Sequence, residues 1–269
     1  MIKKPFNRNV LKYIVCFLML LDHMTLVFPI GGSVEFFIVF ISRLTAPVMA
    51  YFIAEGYAHT KNIGKYMGRL ALFALLSAVP FTYLTTGHLL PVALTDSGVG
   101  ETMGFYIPEL QKFLVFRGTG VLFTLLLGLV NIWVWDRWKA PVPVKLLVTL
   151  LSVWLAAFGD WMYWDILFCM TFYFLRKNRA AMWTVYALIC LTVIWYLRLF
   201  ENPFYPRLLY VSYLPYALTS ANWGTLLVIP FVEGLYNGEK GSGKPIHKWF
   251  FYIFYPAHLA LLCLIKFFF

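Results

Sequence analysis

The chain has 269 residues, of which 61% are hydrophobic, 20% aromatic and only 13% charged, with a mean hydropathy of +0.75. A soluble globule, with an apolar share nearer half, is excluded, and the chain reads as a polytopic membrane protein. The net charge of +10 is not a nucleic-acid signature, because Lys and Arg fall in short clusters between apolar runs, as cytoplasmic loops do under the positive-inside rule.

A basic leader (Lys3, Lys4, Arg8, Lys12) opens a first apolar run that extends to about residue 28 and stops at a Pro29-Ile-Gly-Gly turn. This run is long enough to span and lacks a small-residue cleavage site, so it reads as a retained helix and not a signal peptide. The second predicted span, about 34–54, carries Arg43 inside it and finishes in AEGYAHT. Lys61, Lys65 and Arg69 then mark a basic loop leading into a third span, about 66–86. From 87 to 112 the chain is polar and Gly-rich, with Asp96, Glu101 and Glu109 against the single cation Lys112. This fits an exterior loop long enough to serve as a lid.

A fourth span, about 113–135, is followed by Asp136, Arg137, Lys139 and Lys145. A fifth, about 144–158, turns at Gly159-Asp160 into a sixth that ends at Arg176-Lys-Asn-Arg179. The seventh covers about 181–200, and 201–207 is a Pro-containing exterior loop. Residues 208–236, interrupted by Pro215, Asn222 and Pro230, form one broken span or two short ones. A basic linker (Lys240, Lys244, Lys248) precedes a final span, about 249–268.

The expected fold is therefore an all-α polytopic membrane protein of about nine transmembrane helices (eight to ten, depending on 208–236), forming one domain over 1–269. Its N-terminus is cytoplasmic and its C-terminus exterior. Cys16, Cys169, Cys190 and Cys263 lie inside apolar runs with no CxxC or Cys/His spacing, so they read as small hydrophobes and no metal is implied.

The informative stretch is KYIVCFLMLLDH, Lys12 to His23. Eleven residues at 100° each return almost to the same helix stripe, with a rise of about 16 Å, so Lys12 at a surface puts His23 near mid-membrane. Arg43, entering from the exterior, and His258, rising from the cytoplasmic side, each come out about 14 Å deep. Ionisable groups at such depth are costly and mark functional sites, with Asp22 and Arg43 the expected ion pair on adjacent helices. The bland alternative for Arg43 and His258 is a structural ion pair and a packed histidine. A neutral imidazole at this depth suits general-base work. Lys12, Lys61, Lys65 and Arg69 are placed to gather at one cytoplasmic opening and bind a phosphorylated compound, although topology-setting cations have the same appearance.

The segments LKYIVCFLMLLDHMTLVF, ISRLTAPVMAYFIAEGYAHTKNIGKYMGRLALFALLSAVPF, FTLLLGL and FFYIFYPAHLALL resemble the TraX family of membrane proteins, known for N-acetylating a pilin subunit. TraX proteins are in turn similar to the membrane acyltransferase-3 superfamily, whose first helix has a basic residue, ten others and a histidine, matched here by Lys12 and His23. The resemblance implies an acetyl-CoA donor entering from the cytoplasm, its thioester presented near His23, and an acceptor approaching from the membrane or the far side. Glu55 stands where that superfamily has a serine.

The expected function is an acyl-CoA-dependent O- or N-acyltransferase of the bacterial inner membrane, using acetyl-CoA as co-substrate and no metal. The acceptor is a glycan, a small molecule or a protein N-terminus, and no nucleic acid is involved. The expected catalytic group is His23, Asp22, Arg43 and His258, with His258 lining the acceptor side. Lys12, Lys61, Lys65 and Arg69 hold the donor, and Glu55 and His59 contact substrate. The alternative is a transporter or channel with a His/Asp/Arg relay at mid-membrane.

Overall fold

The computed structural model describes residues 4–90, 92–95, 103–107, 110–116, 118–199 and 219–268. Helix α1 (Arg8–Thr25) starts at Asn7, whose side chain accepts from the backbone N–H groups of Asn9 and Val10 and so satisfies two donors the helix leaves open. The helix buries the stripe Leu11, Val15, Met19 and His23, the i, i+4 spacing of one face.

The predicted second span is one apolar stretch broken in two. Helices α2 (Gly32–Ser42) and α3 (Thr45–His59) are separated by Arg43 and Leu44. Pro47 accounts for the break, since it has no N–H to offer the Arg43 carbonyl and its ring crowds that oxygen. Helix α4 (Ile63–Thr86) is capped by the Asn62 side chain, which accepts from the Lys65 N–H. It ends at Gly87, which takes the left-handed conformation (φ 74°) that a β-carbon disfavours.

The polar stretch after α4 holds a small antiparallel sheet, an element the hydropathy pattern does not reveal. Strands β1 (Val92–Thr95), β2 (Met103–Ile107) and β3 (Lys112–Phe116) are ordered β1-β3-β2, with Val92 and Met103 both paired to Phe116. The fourth span, expected from about 113, therefore begins later, as helix α5 (Val121–Asp136). The sequence KFLVF is aromatic and β-branched and suits a strand. Gly118 and Gly120 separate it from the helix.

Next come α6 (Val142–Ala156), α7 (Trp164–Phe174) and α8 (Arg179–Leu199). The segment expected as a broken span is, in its described part, a 3-10 segment (Ala221–Leu227) running into α9 (Val228–Leu235). The final helix is α10 (Pro245–Phe268). Asp96, Glu101, Glu109, the loop at 201–207 and Pro215 lie outside the described residues.

Helix α7 is the central element, packed against α3, α5 and α8 and burying Trp164, Ile166 and Phe168. Lipid supplies no hydrophobic force between helices, so close approach has to do that work. At the α5–α7 crossing, a β-carbon on Gly128 would sit 2.7 Å from the Cys169 sulfur. The peripheral α6 turns Leu147 and Leu150 outward, 66% and 65% exposed. Helix α10 lies against α4 and α1, and the 3-10 segment lies against α2. There Gly224 passes so close to the Phe40 carbonyl that a β-carbon would collide with it.

One end of the molecule gathers the basic segments. Phe6 donates to the Leu235 carbonyl, Arg8 N–H to that of Glu239 and the Asn9 side chain to that of Ser242, while the Tyr57 hydroxyl donates to Asp136. We call this end the basic face. At depth from it, Thr119 pairs with the turn at Phe158 and Asp160. Three stretches, Gly32–His59, Ile63–Thr86 and Pro245–Phe268, are long and apolar enough to cross a membrane, and the shorter helices α5, α6, α7 and 179–194 are also apolar. The molecule is a helical membrane protein.

Candidate functional site

His23 sits in the last two turns of α1, 5% exposed, and His258 sits on α10, 6% exposed. His23 Nδ1 and His258 Nε2 are 2.8 Å apart, with ring planes 13° from parallel. His258 Nδ1 lies 2.8 Å from the Phe254 carbonyl oxygen one turn back on its own helix. The rings of Phe81 and Tyr255 close around His23 at 6.1 and 6.2 Å. The Tyr255 hydroxyl accepts from the Val121 N–H, which ties the start of α5 to α10.

His23 forms part of the wall of a cavity of about 190 Å³. Toward the basic face the wall is Met19, Met49 and Phe251; farther out it is Leu26, Thr85, Asp160 and Trp161. Asp22, Ser42 and Arg43 line it beside His23, and the first turns of α5 contribute Val121, Leu122 and Leu125. The chain places four interruptions here: the end of α1, the break before α3, the start of α5 and the turn at 157–163. Irregular backbone at membrane depth is tolerated where it lines a cavity.

The expected Asp22–Arg43 ion pair is not formed. Both residues line the cavity, but among the described residues no carboxylate makes an ion pair with Arg43. Its guanidinium lies 6.0 Å from the Trp161 ring, and its buried Nε has no hydrogen-bond partner among those residues. Arg43 lies at the break itself, as the C-cap of α2, and not inside the continuous helix that the pairing assumed. The expected place of His258 is also corrected. It does not line the cavity but is hydrogen-bonded to His23 Nδ1 from outside the lining.

The residues expected to hold a donor divide into two groups. The Lys12 ammonium lies between the rings of Phe52 and Phe251, 5.5 and 5.1 Å from their centroids. Arg69 lies 5.8 Å from the Tyr252 ring, with a buried Nε that has no partner among the described residues. These two cations thus flank successive residues of α10. Lys61 and Lys65 are exposed on the basic face. The cavity does not extend to any of the four; Phe251 stands between it and Lys12. Glu55 is held at the basic face by Arg8 at 3.4 Å and by the Tyr236 hydroxyl at 2.5 Å. His59 is exposed at the end of α3. Neither lines the cavity.

Asp160, Trp161 and Tyr255 are cavity residues that sequence reasoning did not assign. Asp160 had a usable signal, a carboxylate at the junction of two short apolar runs, where ionisable groups are rare. Asp165, fully buried and bonded to the Thr124 hydroxyl at 2.6 Å, carries the same signal. Among the described residues no group of His, Cys, Asp and Glu is arranged to hold a metal.

No solved structure matches this chain. A probable fimbrial assembly protein, FimC of serogroup H1, from Dichelobacter nodosus is 27% identical over 264 residues, covering 98% of this chain and 97% of that protein. The TraX protein family profile matches residues 7–266. With the match running from the cap of α1 to the last turns of α10, through every wall of the cavity, the chain belongs to the TraX family.

Proposed function

We propose that this protein is an integral membrane acyltransferase that moves an acetyl group from acetyl-CoA to a hydroxyl or amine acceptor, working in a bacterial inner membrane. Its nine spans would run from a cytoplasmic N-terminus, and its Lys12-to-His23 spacing would relate it to the acyltransferase-3 superfamily. The observation that carries the reading is a buried imidazole, His23, near the end of α1, forming part of the wall of a cavity beside an arginine that makes no ion pair among the described residues.

At about 190 Å³ the cavity is smaller than the several hundred Å³ of a typical drug-sized ligand site. It admits the acyl end of a donor and not its nucleotide. The body of the donor would stay at the basic face, where Lys12 and Arg69 flank Phe251 and Tyr252. His23 takes the proton from the acceptor hydroxyl or amine as that group attacks the thioester carbonyl carbon. The carbonyl oxygen gains negative charge in the tetrahedral intermediate, opposite the Arg43 guanidinium. The carbon–sulfur bond then breaks, the acetyl group stays on the acceptor, and the proton passes from His23 to the departing thiolate.

The test is purified protein in lipid nanodiscs with radiolabelled acetyl-CoA, following release of free CoA and label transfer to extracted glycans and proteins. Loss of the base is expected to lower the rate by about 10²–10⁴-fold in His23→Ala, and equal rates in both forms would remove His23 from the mechanism. The broken helices at the cavity also suit a transporter. Calorimetry with acetyl-CoA separates the two, since a transporter gives no saturable heat with that donor.

A further inference from the structure

The hydrogen bonds behind His23 fix where its protons are. Phe254 offers a carbonyl oxygen, which only accepts, so His258 Nδ1 at 2.8 Å carries the hydrogen. Both rings are buried, and among the described residues no carboxylate bonds to either, so both are neutral at rest. A neutral imidazole has one N–H, so His258 Nε2 is a bare acceptor. His23 Nδ1, 2.8 Å away, must then be the donor in that bond, and His23 Nε2 is left without a hydrogen. Free histidine favours the opposite tautomer.

We infer that His258 is a positioning residue: the Phe254 carbonyl, acting through two imidazoles in series, holds His23 with its Nε2 lone pair available to the cavity. This rests on the reading of His23 as the base. The tautomer matters because a ring carrying hydrogen on Nε2 has no lone pair to offer an acceptor there. The arrangement also gives the arriving positive charge somewhere to go. When His23 Nε2 takes a proton, the hydrogen on its Nδ1 can move along the bond to His258 Nε2. The cation then sits on His258, one ring farther from the Arg43 guanidinium at the cavity wall. Reverse transfer restores both rings when His23 returns its proton to the thiolate. The second imidazole thus has the orienting role that a carboxylate has behind a catalytic histidine elsewhere, without placing another anion in the membrane interior.

The experiment is nitrogen-15 spectroscopy of histidine-labelled protein in nanodiscs, with resonances assigned by single replacement, alongside acetyl-transfer kinetics. The wild type is expected to show His23 protonated on Nδ1 and bare on Nε2. His258→Phe keeps an aromatic ring but has no acceptor. It is expected to move His23 toward the Nε2-protonated form and to lower kcat by about 10²-fold or more, with KM for acetyl-CoA unchanged. His258→Gln, whose side-chain oxygen can accept from His23 Nδ1, is expected to keep both signals near wild type and rescue kcat. A wild-type His23 protonated on Nε2 would overturn the inference, as would full turnover in His258→Phe. If the tautomer changes in His258→Phe while no form transfers acetyl, the positioning device stands and the acyltransferase reading fails.

Discussion

Replacing Arg43 by Met separates a catalytic guanidinium from a structural one. If Arg43 were half of a buried ion pair with Asp22, removing it would strand a carboxylate inside the membrane and cost about 3–5 kcal/mol. Asp22→Asn would then recover most of that loss in the double variant. The structure gives the opposite expectation, because no ion pair joins the two residues and the Arg43 Nε is buried without a partner among the described residues. Arg43→Met should therefore keep its thermal midpoint within a few degrees of wild type. If the guanidinium faces the oxyanion, kcat should fall by about 10²–10³-fold, the loss of one preorganised donor, or roughly 2.7–4 kcal/mol of barrier. The assay is a double-mutant cycle over wild type, Arg43→Met, Asp22→Asn and the pair, read by thermal unfolding in nanodiscs and by acetyl transfer. Stability coupling well below 1 kcal/mol is expected, and coupling above about 2 kcal/mol would show the pair to be structural and refute the assignment.

Phe251 closes the cavity on its basic side and packs against Lys12. Phe251→Ala should thus shift preference toward butyryl-CoA over acetyl-CoA by about tenfold or more, the usual value of one or two methylenes in an apolar pocket, measured as the ratio of kcat/KM for the two donors. Lys12→Met should raise KM for acetyl-CoA about tenfold and spare kcat, and a fall in kcat alone would take Lys12 out of donor binding. Gly224→Ala forces a β-carbon against the Phe40 carbonyl. It should destabilise by about 1–3 kcal/mol, seen as a thermal midpoint lowered by roughly 2–10 °C. The orientation is checked by labelling. A thiol introduced by Lys61→Cys should react with an impermeant maleimide in inside-out vesicles, and one introduced by Leu89→Cys should react in right-side-out vesicles.

Much of the body was legible in the sequence, because a membrane helix must satisfy its own backbone and so announces itself as an uninterrupted apolar run. The ends of α4 and α6 fall within a few residues of expectation for that reason. The strand at 112–116 was missed because KFLVF is as apolar as a helix of the same length, and short apolar runs do not disclose their period. The break at Arg43 was readable in principle from Pro47, four residues on. Its consequence was not: where the chain runs at that break decides whether Arg43 meets Asp22, and the sequence does not give that path. His23 and His258 were each legible by depth. Their contact was not, because depth fixes one coordinate and leaves the rotation of α10 about its axis open.

The arrangement of polar groups around the cavity argues against a purely structural role. A fold that only had to stand in a bilayer would pair its interior charges with each other, since an unpaired charge there is the costlier state. At the basic face, where the groups are only partly buried, this protein pairs even these charges: Glu55 with Arg8, Glu233 with Lys4 and Arg179, Asp136 with Arg137. At the cavity it does not. Asp22, Arg43 and Asp160 line one space, yet none makes an ion pair with another among the described residues. His23 meanwhile uses its one described side-chain hydrogen bond on a ring outside that space. The same chain thus closes its charges into ion pairs at the basic face and leaves those around His23 near one another but without an ion pair. Such an arrangement is sustainable in a membrane only if water or a polar reactant takes the open positions, and radiolabelled acetyl-CoA is the reactant to try first.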